Sequence, residues 1–449
     1  MIKKVIIVLF LVIFSLGLYF TLAKVNKRPS RVYLEANTLI LERRLTNGAL
    51  DKAKPYIIHG LSWSPTTRAS ASGPNPLARS ETVDYGYFFD WPGRNPQGHV
   101  IFNHWAKDQF REYYKTDIPL MRQMNVNTIR VYNDFGNDPD VYNAILDELY
   151  RNQIMVILTL NVAKDDLVFS GDGEPDLADG ANLLKVVEQY KNHPALLMWN
   201  IGNEWNFNKY YGNLDDVTTA VKLTNKIAQE IKKRDAFHPV SSCLGDAIVV
   251  DNNNPCRPPE AAMAGYILER CPEIEIWGIN VYRGTSFYGI FEQWKRISNK
   301  PFYISEFGTD SLRTELFTKF SPQPCDYRIT QCSGRIDEDL QAATDVGLWQ
   351  EIRAHLAVFN PQELCQGGLV HEFNDELWKV GSYHVQLGDL INYKSGEHSF
   401  DEYNCEGISI GESHPDKVAN EEYFGLVDAE RRPKKAYQAL KAEFAKLPN

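Results

Sequence analysis

The body of this chain has no dense cluster of lysine and arginine, although its 449 residues include 48 of them. Nucleic-acid binding needs such a cationic face, and the formal net charge of −10 has the opposite sign. The sequence also has no Cys-x-x-Cys or His-x-x-x-His spacing and no glycine-rich loop after its first predicted strand. These absences argue against a zinc site and a dinucleotide-binding fold. We therefore expect no nucleic-acid partner, no metal and no cofactor.

Cysteine is scarce as well, with seven residues in the chain. An odd number leaves at least one thiol outside any intramolecular bridge. Cys325 and Cys332 flank a short polar segment and are the favoured disulfide pair, and Cys256 with Cys271 is a weaker candidate. Cys243 and Cys365 stand in apolar runs, and each is expected to be a buried free thiol.

An apolar segment occupies the N-terminus. Lys3 and Lys4 precede residues 5–23, which carry no charge, and Lys24 follows them. This pattern is typical of an export signal, and the length of the segment is also close to that of a membrane span. Residues 1–23 are therefore a signal peptide or a membrane anchor, and both predictions place the body of the protein outside the cytoplasm.

The rest of the chain can bury a large core, since 43% of all residues are hydrophobic. Short apolar runs alternate with longer amphipathic stretches almost to the C-terminus, as in repeated βα units. The predicted strands cover residues 56–61, 128–132, 154–160, 196–201, 239–244, 274–281, 302–305 and 368–373. Eight such units predict an α/β architecture, a closed (β/α)8 TIM barrel.

Two shorter features are also predicted. The clearest helix covers residues 215–233, with acidic residues at its start and lysines at its end. Residues 32–55 read as a short hairpin that leads into the barrel, with Asn47-Gly48 as its turn.

Two long insertions follow strand ends, at residues 62–103 and about 309–337. Loops in these positions lie on the face of a barrel that carries its active site. We therefore expect a TIM barrel with long βα-loop insertions. The domain division is a terminal segment 1–23, a lead-in segment 24–55 with the hairpin, and a barrel 56–449.

Polar residues at the strand ends indicate what the barrel binds. The carboxyl ends of parallel barrel strands meet at one face, so these residues converge whatever their separation in sequence. Glu204 and Glu306 each end a short apolar run, and two carboxylates are the minimum for cleaving a glycosidic bond. The other polar or aromatic residues at strand ends are Trp63, Arg130, Tyr132, Asn133, Asn161, Asn203, Asn280, Tyr282, Glu372 and Asp375. Amides, carboxylates and flat rings suit sugar hydroxyls and sugar C–H faces, so the set predicts a carbohydrate site.

Four motifs stand at these ends in order, and they carry a family resemblance. They are Arg130-Val-Tyr132, Trp199-Asn-Ile-Gly-Asn203-Glu204, Asn280-Val-Tyr282 and Ile304-Ser-Glu306-Phe-Gly308. With these motifs the chain resembles the clan A glycoside hydrolases over about residues 56–440. Within the clan it looks most like a lone family 2 catalytic barrel, with some similarity to the family 72 glucanosyltransferases.

The resemblance implies a retaining double displacement on a β-linked oligosaccharide or polysaccharide. It makes Glu306 the nucleophile and Glu204 the acid/base. It also implies that Asn203 binds the sugar 2-hydroxyl, while Arg130 and Tyr282 favour the Glu306 anion. The further predicted substrate-binding residues are Trp63, Asn161, Glu372 and Trp378.

Other interpretations stay open at this point. A transglycosylase, an inverting hydrolase and a non-catalytic carbohydrate-binding barrel would use similar residues, and neither the sugar nor the linkage follows from the sequence. Trp63 could pack in the core, and Arg130 could form a structural salt bridge. Glu372 and Asp375 could bind substrate, or they could pair with Lys379 and arginines at the rim. The oligomeric state is not predicted.

Overall fold

The structure is a computed structural model, and it describes most of the chain. The described residues are 27–65, 96–132, 139–171, 173–206, 211, 214, 216–246, 261–320, 327–376, 408–409, 414–416, 419–420 and 423–447.

Sixteen strands are present in these residues, and eight of them close into a parallel barrel. The strands are β1 (Arg31–Glu35), β2 (Thr38–Glu42), β3 (Lys54–Pro55), β4 (Ile58–Ser62), β5 (Thr128–Val131), β6 (Met155–Leu160), β7 (Leu167–Phe169), β8 (Pro175–Leu177), β9 (Leu196–Ile201), β10 (Val240–Gly245), β11 (Ile276–Asn280), β12 (Phe302–Phe307), β13 (Leu312–Phe320), β14 (Tyr327–Ile336), β15 (Cys365–Val370) and β16 (Ile408–Ser409). The barrel order is β4-β5-β6-β9-β10-β11-β12-β15, with β15 pairing back to β4. Each of these pairs is parallel, so the predicted (β/α)8 fold is confirmed.

Helices follow the barrel strands in the described residues. They are α1 (Pro96–Gln123), α2 (Pro139–Arg151), α3 (Asn182–Tyr190), α4 (Val217–Arg234), α5 (Ala261–Arg270), α6 (Ile290–Ile297), α7 (Glu338–Ala354) and α8 (Lys435–Phe444). The predicted helix at 215–233 corresponds to α4, whose N-terminus is capped by Asp216 accepting a hydrogen bond from the Thr219 amide. The first predicted insertion is shorter than expected, because α1 begins at Pro96.

The barrel strands read as continuous apolar runs because both of their faces are covered. Their outer faces pack on the helices, and their inner faces pack on one another. Seven of the eight predicted strands overlap the observed ones to within two residues at each end. The eighth begins at Cys365 instead of residue 368, and its Gly367 packs closely against the neighbouring parallel strand β4. A Cβ atom on Gly367 would lie 1.9 Å from the Ile58 carbonyl oxygen.

The lead-in segment closes the bottom of the barrel. Strands β1 and β2 form an antiparallel hairpin, and β3 extends it into a three-stranded sheet. Leu39 packs in one cluster with side chains of six barrel strands, among them Ile58, Met155 and Tyr303. The predicted hairpin is therefore present, but its turn is at residues 36–37. Asn47-Gly48 makes a separate turn, in which the Leu45 amide donates to the Ala49 carbonyl oxygen and the Gly48 amide donates to the Leu45 carbonyl oxygen.

The second insertion forms a β-hairpin of β13 and β14 after the seventh barrel strand. Cys325 lies outside the described residues, so its pairing with Cys332 stays a prediction. Cys271 is a buried free thiol, so the weaker pair with Cys256 is wrong. Cys243 and Cys365 are also buried and free, as expected. No helix among the described residues is long and apolar enough to cross a membrane, and the predicted N-terminal segment lies outside them.

Candidate active site

The seventh barrel strand carries Glu306 into the top of the barrel, where three donors surround its carboxylate. Arg130 donates to Oε1 at 3.0 Å, and the Tyr132 hydroxyl donates to the same atom at 2.7 Å. The Tyr282 hydroxyl donates to Oε2 at 3.0 Å. Both carboxylate oxygens are thus hydrogen-bonded, and Glu306 is only 6% exposed. The predicted contacts of Arg130 and Tyr282 with Glu306 are present.

The same contacts keep the donors in their donating forms. Burial lowers the pKa of Arg130, but the acidic groups around it, including Glu306, raise the net value above the ordinary one, so the guanidinium stays charged. Burial and the neighbouring Glu306 raise the pKa of Tyr132 well above its usual range, so its hydroxyl keeps the proton that it donates. A guanidinium cation and two hydroxyl groups therefore donate hydrogen bonds to the Glu306 carboxylate.

Glu204 follows the fourth barrel strand, and its position is set by the backbone as well as by side chains. Its φ angle is 47°, in the left-handed region, and its amide donates to the carbonyl oxygen of Cys243 at 3.1 Å. Its Oε1 atom accepts a hydrogen bond from the Asn280 amide at 3.0 Å. The side chain is half-buried, and it reaches the same end of the barrel as Glu306.

Asn203 connects the surroundings of the two glutamates. Its Oδ1 atom accepts hydrogen bonds from Arg130 at 2.6 Å and from Asn280 at 3.2 Å. These two donors fix the orientation of the amide, because the oxygen must face the guanidinium. The Nδ2 group is consequently turned away from Arg130.

Tyr132, Asn280 and His371 belong to the site. Tyr132 and Asn280 were predicted only as members of the strand-end set, without roles of their own, and His371 was not predicted. The Nδ1 atom of His371 lies 3.2 Å from the Tyr132 hydroxyl and 3.0 Å from Ser62 Oγ. Tyr132 gives its single hydrogen to Glu306, so a hydrogen bond between Tyr132 and His371 requires the His371 tautomer that carries its hydrogen on Nδ1. Residues 130 and 132 are two positions apart, so their side chains share one face of the strand, and this spacing was a usable signal for Tyr132. The sequence offers no comparable signal for His371.

Trp63 was predicted to stack on sugar, and the structure contradicts this. Its side chain is 0% exposed, its indole N–H donates to Asp117 at 3.0 Å, and its ring meets Phe110 edge to face. A ring enclosed in this way presents no face to a ligand. The alternative interpretation, a core residue, is correct.

The remaining predicted residues have different outcomes. Asn161 is half-buried directly after the third barrel strand, and Glu372 is 1% exposed with its carboxylate 3.9 Å from His371. Substrate binding by these two residues stays a prediction. Asp375 pairs with Lys434 at 2.6 Å, and Lys379 lies outside the described residues. Trp378 lies outside the described residues.

Comparison with known proteins supports the assignment of the barrel. Residues 111–333 match the model of the glycosyl hydrolases family 2 TIM barrel domain. This range contains both glutamates, and the match confirms the predicted resemblance to a family 2 glycoside hydrolase barrel. The similarity to family 72 stays a prediction. No curated protein sequence matches the chain.

Solved structures of similar fold include β-glucuronidases. One from Dictyoglomus thermophilum is 16% identical with a TM-score of 0.46, over 93% of this chain and 54% of that one. Another, from an uncultured Clostridium species, is 14% identical with a TM-score of 0.47, over 93% and 54% of the two chains. A Bacteroides uniformis β-glucuronidase, covalently bound to cyclophellitol-6-carboxylate aziridine, is 15% identical with a TM-score of 0.46, over 93% and 37%. This chain therefore spans about half the length of the first two proteins and 37% of the length of the third.

Proposed function

We propose that this chain, which carries a family 2 glycosyl hydrolase barrel, hydrolyses β-linked glycosides with retention of anomeric configuration. The observation that carries the proposal is the Glu306 carboxylate, held by Arg130, Tyr132 and Tyr282 at the strand ends where Glu204 also stands. A buried carboxylate surrounded by hydrogen-bond donors suits a nucleophile that attacks a sugar carbon.

The reaction proceeds in two displacements. In the first, a Glu306 oxygen forms a bond to the anomeric carbon. The bond from that carbon to the leaving oxygen breaks as Glu204 protonates the leaving oxygen. In the second, Glu204 removes a proton from water, which attacks the anomeric carbon and releases Glu306. The Nδ2 group of Asn203 donates to the sugar 2-hydroxyl, because its Oδ1 atom is already occupied by Arg130.

Azide trapping distinguishes the two glutamates. Glu204→Ala should still form the glycosyl-enzyme from an aryl β-glycoside with a good leaving group, because that step needs no acid. Azide then attacks the intermediate and gives the β-glycosyl azide. In Glu306→Ala azide replaces the nucleophile itself and gives the α-glycosyl azide. Substrates are aryl β-glucosides, galactosides, mannosides and glucuronides, and the products are identified by mass and by the anomeric NMR signal.

Product stereochemistry in the wild type completes this test. The first sugar released from a β-glycoside should be the β-anomer, as seen in NMR spectra recorded before mutarotation. Release of the α-anomer would indicate an inverting hydrolase and refute the mechanism. Exchange of the two azide products would reverse the assignments of Glu204 and Glu306. Failure of every glycoside in the panel, with folded protein, would refute the function.

The two tyrosines that contact Glu306 should each contribute to rate. Tyr132→Phe and Tyr282→Phe each remove one hydrogen bond to a charged group, worth about 1.5–3 kcal/mol. We expect kcat/KM to fall about 10- to 100-fold in each variant, because each 1.36 kcal/mol is a factor of about 10. Tyr303→Phe is the control, since its hydroxyl contacts Ser241 inside the barrel and not Glu306. Equal losses in all three variants would show that the effect is structural.

A further inference from the structure

We propose that Cys243 and Ser305 clamp the side-chain oxygen of Asn280, and that Asn280 thereby determines which oxygen of Glu204 carries the transferable proton. These three residues, called the Asn280 clamp below, are positioning residues that act through Glu204. The inference rests on the proposed function, because it assigns a part in acid catalysis to residues beneath the two glutamates.

The clamp is a set of short contacts on a single atom. The Oδ1 atom of Asn280 accepts hydrogen bonds from Ser305 Oγ at 2.7 Å, from Cys243 Sγ at 3.1 Å and from Arg130 Nη1 at 3.4 Å. Cys243 and Ser305 also contact each other at 3.0 Å. Because three donors converge on this oxygen, they fix the orientation of the Asn280 amide group.

The clamp residues stand on adjacent strands and are shielded from solvent. Cys243 lies on β10, Asn280 on β11 and Ser305 on β12, and they are 0%, 1% and 0% exposed. The register between β11 and β12 shifts at Asn280, where it pairs with Glu306, and such irregularities re-aim a side chain. Burial raises the pKa of Cys243 to about 11, so the thiol keeps the hydrogen that it donates.

The orientation of the amide determines what Asn280 offers to the site. Rotating the amide by 180° would place its NH2 group against the Ser305 and Cys243 donors and against the Arg130 guanidinium. The observed orientation instead directs the two Nδ2 hydrogens to Glu204 Oε1 at 3.0 Å and to Asn203 Oδ1 at 3.2 Å. Each of the two Nδ2 hydrogens of Asn280 thus has its own acceptor.

The consequence for Glu204 concerns its proton. An oxygen that accepts a hydrogen bond from Asn280 is the carbonyl-like oxygen of the protonated acid, so the proton lies on Oε2. Cys243 also accepts the Glu204 amide hydrogen at its backbone carbonyl, so one residue fixes both the backbone and, through Asn280, the carboxyl group. The acid is therefore held with its proton on a defined atom.

Leaving-group dependence tests the clamp, since only poor leaving groups need the acid. In Ser305→Ala combined with Cys243→Ala, we expect kcat/KM for phenyl β-glycosides to fall about 10- to 100-fold, part of the 10²- to 10⁴-fold that acid catalysis supplies. The value for 2,4-dinitrophenyl β-glycosides should change less than about threefold. Cys243→Ser retains a donor and should preserve the wild-type ratio of the two substrates.

The pH profile supplies a second readout. In Asn280→Asp a carboxylate replaces the amide beside Glu204, and a like charge raises the pKa of the acid. The alkaline limb of kcat/KM should therefore move to higher pH, further than in Asn280→Ala. The titratable or charged groups that face the clamp are Arg130, Glu204, Glu306, Cys243 and Tyr303. All five residues are the same in the two Asn280 variants as in the wild type.

Ser241→Ala and Cys365→Ala are matched controls, because both residues are 0% exposed on barrel strands and neither contacts Asn280 in the described contacts. Equal losses on both substrates in the double variant would overturn the inference, as would a ratio equal to that of the controls. If the double variant does not fold, Ser305→Ala alone must lower the phenyl glycoside rate selectively. Failure of azide trapping in Glu306→Ala would instead count against the proposed function and leave the clamp test unaffected.

Discussion

Glu306→Gln should lose turnover on the order of 10⁵-fold or more, the scale seen when a covalent nucleophile is removed. The glutamine amide has nearly the shape of the carboxylate, so Tyr132, Tyr282 and Arg130 keep a hydrogen-bonding partner in the same place. What it lacks is the negative charge and the nucleophilic oxygen. The variant should fold normally and bind substrate, and single-turnover kinetics should detect no glycosyl-enzyme.

Glu363→Gln is the matched control for this substitution. Glu363 is also buried, at 7% exposure, and it also pairs with a cation, Lys295 at 3.0 Å. It precedes the eighth barrel strand and therefore lies at the end of the barrel opposite to Glu306. Its variant should retain activity within about twofold, because the site lies far from the chemistry. Retention of more than one part in about a hundred of the activity by Glu306→Gln would contradict the nucleophile assignment.

The two glutamates were predictable because a parallel barrel converts sequence order into spatial convergence. Each ends an apolar run, and every strand end of such a barrel faces the same way. Arg130 and Tyr282 followed from the same rule, and both contact Glu306. Asn203 followed as well, and its observed partners are Arg130 and Asn280.

Other assignments depended on contacts between residues far apart in sequence. Trp63 stands at a strand end, but Asp117 of α1 accepts its indole hydrogen and thereby makes it a core residue. Nothing near Trp63 in the sequence indicates that contact. The position of His371 likewise depends on Ser62 and Tyr132, which come from the first two barrel strands. Export and the disulfide between Cys325 and Cys332 stay predictions.

Asp375 also has a partner that is distant in sequence, and this contact leads to a stability prediction. Its partner Lys434 precedes the C-terminal helix and donates at 2.6 Å, and both side chains are 6% exposed. Lys434 also donates to Ser311 Oγ at 2.9 Å and to the Tyr423 carbonyl oxygen at 3.2 Å. The pair thus joins the end of the eighth strand to the segment that leads into α8. The alternative of a pairing with Lys379 stays a prediction, because Lys379 lies outside the described residues.

Lys434→Met should lower the free energy of unfolding at pH 8 by about 3–5 kcal/mol, because it leaves a buried carboxylate without its cation. Burial raises the pKa of Asp375 to about 6 even with Lys434 present. Since this value is above the ordinary 3.8, the carboxyl is protonated in the folded state at lower pH. Loss of the lysine raises it further, so the destabilisation should shrink as the pH falls from 8 to 5.

Two variants determine whether the pair itself is responsible. Asp375→Asn combined with Lys434→Met removes both charges and should recover part of the lost free energy of unfolding. Lys435→Met is the control, since the adjacent Lys435 pairs with Asp339 at 2.6 Å while the two side chains are 58% and 79% exposed. An exposed pair contributes about 0–1 kcal/mol, so this variant should unfold almost as the wild type does in urea. Equal destabilisation by Lys434→Met and Lys435→Met, or an effect of Lys434→Met that does not change between pH 8 and pH 5, would show that burial of the Asp375 charge is not the cause.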